Sequence, residues 1–356
     1  MRMAIIARFA VFTSVILFLG AGCISFSSGG GNAGSGSDGG VYKTVNKGDV
    51  WTQKNAVASA GTPLTLNGTS VVTMTQDPQD AKTWYLGTLE SGLLYSLDAG
   101  ESWTQVAQLS KGRVPAVAVD SKNKCTIFAA FENKIIKSTD CTRTWNIVYV
   151  NDRPTTAISA VLVDFFNPQI IWAANTTGDV LKSADGGASW ANLKNFGAPI
   201  VQLVLHANDS RKVFAITKSL GMWRTDDGGT NWKALAQGYA GFAGAQAFSA
   251  FALTPAAPNT VVFASTYGIL RSVDNGDTWS SLPLLTTPGT AAIYSLAIDP
   301  RDVNTLYYGT ATNFYRTSNG GTNWTPKKLP TSRAATFLVV DRSNSAGVYM
   351  GVTKFK

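Results

Sequence analysis

The sequence predicts an all-β chain folded as a seven-bladed β-propeller of four-stranded antiparallel blades, with strands from the two ends of the chain sharing one blade. Three observations lead there. A short phrase ending in tryptophan occurs seven times. Successive tryptophans of that phrase stand 52, 42, 45, 42, 47 and 45 residues apart, a period typical of propeller blades. Between phrases the chain breaks into short apolar runs separated by Gly-rich turns, with no long helical period outside the first segment.

Each phrase has the same internal order. The seven copies are Thr44–Trp51, Ser96–Trp103, Ser138–Trp145, Ser183–Trp190, Thr225–Trp232, Ser272–Trp279 and Thr317–Trp324. Position one is Ser or Thr. Position three is Asn46, Asp98, Asp140, Asp185, Asp227, Asp274 or Asn319, position five is usually Gly, and position eight is Trp. An Asp or Asn side chain closes a turn by accepting from backbone N–H groups two residues on. Gly supplies a left-handed residue. The hydroxyl satisfies a further backbone group. The Trp opens the next strand and buries its ring between layers. These residues therefore read as scaffold. No glutamate follows at the distance a calcium loop needs, so no metal is expected.

Between boxes the strands fall in a fixed order. Ahead of Trp279 the runs 249–253, 260–264 and 269–272 read as three strands, and Trp279 opens a fourth. Four strands per box make one blade. After Trp324 come one fourth strand and then the runs 336–340 and 348–352. Val41 to Trp51 holds only a third strand, a box and the start of a fourth. The two C-terminal strands are thus expected to complete the blade begun at Val41, which removes the exposed sheet edges.

The first residues read as a targeting signal. Arg2 and Arg8 precede the apolar run Phe9 to Leu19, which is short for a membrane span. Small residues and Cys23 follow. We read 1–22 as a signal peptide, 23–40 as a Gly/Ser-rich tether and 41–356 as the propeller. The segment from Ser25 to Gly40 is almost entirely Ser, Gly, Asn and Ala, a composition that stays a flexible coil. Leu19–Cys23 resembles a bacterial lipobox. That resemblance implies a lipid on Cys23 and an extracytoplasmic domain at the envelope of a bacterial cell. The full chain carries a formal charge of +8, and Lys327-Lys328 is a basic pair without a surrounding cluster. No nucleic-acid patch is expected.

The remaining cysteines are Cys125 and Cys141. A hairpin centred on Asn133 sets them opposite one another, and export favours their oxidation to a disulfide. Thr142 stands where the box has Gly, so the bridge is expected to compensate for a poorer turn.

The seven phrases resemble the Asp-box, or BNR, repeat. The stretch 298–318 is similar to repeats of sortilin/VPS10-type propellers, of the photosystem II stability/assembly factor family and of xyloglucan-hydrolase propellers. A lipobox with a single seven-bladed ring is similar to the assembly-factor architecture. In such propellers ligands meet the face opposite the boxes. That implies a candidate binding face with Lys111, Arg113, Asp152, Arg153, Lys218, Tyr239, Phe242, Tyr267, Phe314 and Arg333. Two long connections, 51–70 and 232–249, reach the same face.

A catalytic reading finds little to stand on. The three glutamates of the mature chain, Glu90, Glu101 and Glu132, sit in no recognisable nucleophile phrase. A glycosidase needs two carboxylates flanking one bond; Asp152 and Asp179 could approach one another, but nothing in the sequence supports the pairing. The single His206 stands where other blades have Asp and reads as structural. The expectation is therefore a non-catalytic, lipid-anchored scaffold without cofactor that binds a protein, peptide or polysaccharide at the cell envelope. The alternatives are a glycoside hydrolase, sialidase-like or xyloglucanase-like, and a surface structural protein.

Overall fold

The computed structural model describes residues 38–59 and 64–355. Seven four-stranded antiparallel sheets form seven blades. Blades 1 to 6 each use four consecutive strands, beginning at Val71, Ala116, Ile158, Ile200, Phe248 and Ser295. Blade 7 has the order Thr52–Gln53, Val41–Thr44, Val348–Thr353, Ala334–Val340, so the two chain ends share it as expected. Tyr42 faces Met350 across the seam.

The core is seven apolar clusters, each made by two neighbouring blades. A box tryptophan packs in each one. Trp103 lies between blades 7 and 1, Trp145 between 1 and 2, and Trp190 between 2 and 3. Trp232, Trp279, Trp324 and Trp51 continue the series round to blade 7. Burial between blades, and not within any one sheet, therefore carries the apolar stabilisation.

The first strand of every blade lines a central channel of about 630 Å³. Among the residues that line it, Arg342 alone is charged. Topology then defines two faces. One, the box face, carries the boxes and the turns joining first and second strands. The other, the loop face, carries the second-to-third-strand hairpins and the connections between blades.

The box turn has a more specific geometry than its residue types suggest. The position-one hydroxyl donates to the position-three side chain at 2.7–2.9 Å in all seven copies. It accepts the position-five N–H at 2.7–3.1 Å. The position-three side chain accepts from the N–H four residues on, at 2.8–3.0 Å, and not two residues on. The turn is longer because positions four and five are both left-handed. Position four has φ between 58° and 72°, position five between 73° and 99°. Thr142, the β-branched residue at position five in blade 2, takes φ 73°.

The left-handed pair has a purpose. It aims the position-four N–H at the turn between first and second strands of the same blade, where it bonds a carbonyl at 2.8–3.2 Å in every blade. In blade 2 the two residues are Cys141 and Cys125, and they are also joined by a disulfide. The hairpin register expected from the sequence is off by one. Ile127 faces Ser138 and Phe131 faces Lys134, so the hairpin turns on Glu132-Asn133 and not on Asn133 alone. The box turn, not the strand ladder, brings the two sulfurs together.

A feature unread in the sequence ties neighbouring blades. The residue just before the box is basic in six blades: Lys43, Lys137, Lys182, Arg224, Arg271 and Arg316. Five of these donate to the position-four carbonyl of the next blade's box, at 2.6–3.1 Å. Tyr95 holds the position in blade 1, whose next box is the disulfide-bonded one.

Candidate functional site

The box face spends its charges internally. All nine ion pairs found among the described residues use an acid from a box or an adjoining turn, namely Glu101, Asp80, Asp209, Asp226, Asp277 or Asp49. Arg224 is the most buried cation of these, with Asp226 at 2.9 Å and Asp277 at 3.0 Å.

The loop face does not. Its five acidic side chains are Asp38, Glu90, Glu132, Asp152 and Asp179. Two of its five acids are sequestered. Asp38 accepts from Tyr42 Oη at 3.0 Å, Ser332 N at 2.9 Å, Ser332 Oγ at 2.6 Å, and from the Thr331 hydroxyl. Burial would raise its carboxyl, but these donors outweigh burial and hold it at about 2. Asp179 accepts from Asn175, Asn192, Asn195 and Thr177 at 2.6–3.2 Å, which likewise outweighs burial and lowers it. What remains exposed is Glu90, Glu132 and Asp152 against Lys111, Arg113, Arg153, Lys194, Lys218, Lys328 and Lys354. None of these seven cations belongs to any of the nine ion pairs.

The expected binding residues divide accordingly. Lys111, Arg113, Asp152, Arg153 and Lys218 are exposed on the loop face. Phe242 and Tyr267, in the blade 4-to-5 connection and the blade 5 hairpin, are half-buried, their rings 5.1 Å apart in an edge contact. Arg333 is half-buried and donates to the Gly68 carbonyl at 3.0 Å. Two residues do not belong. Tyr239 is buried: a 3-10 turn over Ala236–Tyr239 directs its ring onto Phe263 and Trp279, and its hydroxyl accepts the Met222 N–H at 3.0 Å. Phe314 is fully buried in the third strand of blade 6, against Trp51 and Tyr307. Both belong to the packing between blades.

The long connections differ from simple loops. The first carries a small hairpin, Ala56–Val57 with Leu64–Thr65, and the Trp103 indole donates to the Lys54 carbonyl at its base. Residues 38–40, expected at the end of the tether, are docked. Gly40 N–H donates to Thr69 O and Gly68 N–H to Asp38 O. Lys194 and Lys354 went unread, and Lys328 was read only as half of a basic pair, because each lies in or at the end of a strand and not in a hairpin or connection.

For catalysis the geometry offers these facts. Asp179, half of the carboxylate pair considered above, is saturated with donors. His206 is buried, its Nδ1 accepts the Asn208 N–H at 3.2 Å, and burial together with Lys212 lowers its pKa. It closes the turn that Asp77, Asp120 and Asp164 close elsewhere. Cys23 and the expected signal lie outside the described residues. Among the described residues no helix is long and apolar enough to cross a membrane.

No protein-family model and no curated protein matches this chain. Solved structures do. The GH74 xyloglucanase from Xanthomonas campestris superposes with a TM-score of 0.65 at 14% identity, covering 80% of this chain and 51% of that enzyme. The GH74 enzyme of Niastella koreensis gives 0.64 at 17% identity, over 84% of this chain and 53% of its own. This chain therefore spans about half the length of those enzymes. YCF48 bound to D1 peptide gives 0.63 at 14% identity, over 80% of this chain and 94% of that one. At such identities the likeness is one of fold.

Proposed function

We propose that this propeller is a non-catalytic binding module of the Asp-box superfamily, held at the cell envelope by a lipid on Cys23, which meets a protein or peptide partner with its loop face. The observation that carries the reading is the division of charge. All nine ion pairs found among the described residues use acids of the boxes or adjoining turns, whereas the seven exposed cations of the loop face join none of them. Unpaired cations and an aromatic pair, Phe242 and Tyr267, on one face are the residue types from which binding hot spots are made. YCF48 has been seen bound to D1 peptide, which supports a protein- or peptide-binding reading. The seven boxes support the superfamily assignment, since each residue of the repeat has a definite structural role here.

The test is capture of an envelope partner by the wild-type domain and by a variant with Arg113→Glu, Arg153→Glu and Phe242→Ala. Capture is expected to fall at least about tenfold in the variant, since hot-spot truncations each cost over 1 kcal/mol. Undiminished recovery of the same partner would move the site off this face. Turnover of xyloglucan or a sialoside by the purified domain would overturn the non-catalytic reading.

A further inference from the structure

We infer that the loop face docks flat against an anionic phospholipid surface. The inference rests on the reading that this face is the contact face, and it adds a lipid surface beneath the cations of that face to the partner proposed above.

Three observations carry it. The first is the uncompensated charge: seven exposed cations against three exposed acids, none of the seven belonging to an ion pair found among the described residues. The second is how those cations are spread. Lys111 and Arg113 lie between blades 1 and 2, and Arg153 between 2 and 3. Lys194 and Lys218 follow on blades 3 and 4, and Lys328 and Lys354 on 6 and 7. A peptide or a metabolite touches one sector of such a ring. A planar polyanion touches all of it at once, and each cation near an anionic leaflet adds to the attraction.

The third observation is the set of apolar side chains between the cations. Leu220 at the blade 4 hairpin, Leu285 between blades 5 and 6, and Phe355 past the last strand are 48%, 57% and 53% exposed. Phe355 stacks on Tyr294 at 4.7 Å. Exposed apolar groups among Lys and Arg suit the boundary between headgroups and acyl chains. Asp38 and Phe355 both lie at the loop-face ends of blade 7 strands. Docked this way, the propeller turns its charge-balanced box face outward and holds the Phe242–Tyr267 pair at membrane level.

The experiment uses residues 34–356, the compact unit containing the whole closed ring. It is sedimented with vesicles of phosphatidylcholine alone and of phosphatidylcholine mixed with phosphatidylglycerol. Binding is expected only with the anionic lipid, and is expected to weaken as salt screens it. Lys111→Gln, Arg113→Gln, Arg153→Gln and Lys218→Gln together should cut partitioning by about a hundredfold or more. Lys124→Gln with Arg143→Gln, on the box face, should leave it unchanged. Equal binding by the quadruple variant and wild type overturns the inference. So does indifference to anionic vesicles alongside tight binding of poly-glutamate, which would mark an acidic polypeptide as the partner. If loop-face variants lose partner capture while the wild type ignores vesicles, the proposed function stands and this inference alone falls.

Discussion

Asp140, Asp185, Asp227 and Asp274 are ordinary surface residues by exposure, yet each carboxyl is held to about 2. For Asp140 and Asp185 the largest cause is the position-seven hydroxyl, Thr144 or Ser189. For Asp227 it is the Asn231 N–H, and for Asp274 the bonds from Thr278 outweigh its slight burial. An unfolded Asp titrates near about 3.9. A carboxyl whose folded value is lower contributes stability that is complete above about 4 and disappears as pH falls towards about 2. The unfolding midpoint is therefore expected to drop between those values in denaturation at fixed acid pH. Asn46 and Asn319 make the same acceptor contact to position seven without titrating. Replacing the four aspartates by Asn should flatten the acid limb; a limb as steep as that of the wild type would place the titration elsewhere. The residue types of the box were legible in the sequence. The four-residue reach of its aspartate was not, because it depends on two successive left-handed residues, and in blades 1 and 7 the first of them is Ala99 or Lys47.

At the scale of the element, the box is a joint. It closes its own third and fourth strands and bonds the first-to-second-strand turn. In five blades it also receives a cation from the preceding blade. Blade 2 lacks the last of these devices and has a costlier turn. Tyr95 supplies no cation to it, and Thr142 takes a left-handed φ that costs a β-branched residue about 1–2 kcal/mol. Its disulfide closes a loop of 16 residues, which by chain entropy contributes about 3 kcal/mol. Cys125→Ser with Cys141→Ser is expected to lower stability by about that amount, read from the denaturant midpoint at constant slope. A loss below about 1 kcal/mol would mean the hydrogen bond between the two backbones suffices. The cysteine pair could be proposed from the sequence, but through the wrong register. The basic residue before the box was in plain view in six phrases. It went unread because its acceptor belongs to the next repeat, and a repeat read alone shows only contacts inside itself.

The whole ring depends on closure. Blade 7 is built from residues about 300 positions apart, which fold only if the other six blades bring them together. Asp38 reinforces the seam, since its partners Thr331 and Ser332 lie in the connection leading into that blade. Removing residues 348–356 would strip Val41–Thr44 and Ala334–Val340 of the strand that separates them. It would also empty two of the seven apolar clusters of Tyr349, Met350 and Val352. Such a chain is expected to lose cooperative unfolding and to associate through its bare edges, visible by size exclusion and circular dichroism. A monomer with an unchanged midpoint would show that six blades suffice.

By itself the sequence determined the architecture. Periodic phrases of short-range chemistry specify turns, turns specify strands, and seven periods with a split last blade specify a closed ring. The charge asymmetry between the faces was decided only in three dimensions. A lysine reads the same in sequence whether its partner is a carbonyl of the next blade, as for Lys182, or water, as for Lys194. Most pairings that consume cations reach across to the next blade, and so do the contacts that bury Tyr239 against Phe263 and Trp279 and Phe314 against Trp51. The residues that repeat are scaffold because every blade needs them. Those left for function differ from blade to blade, and only the assembled ring sets them side by side.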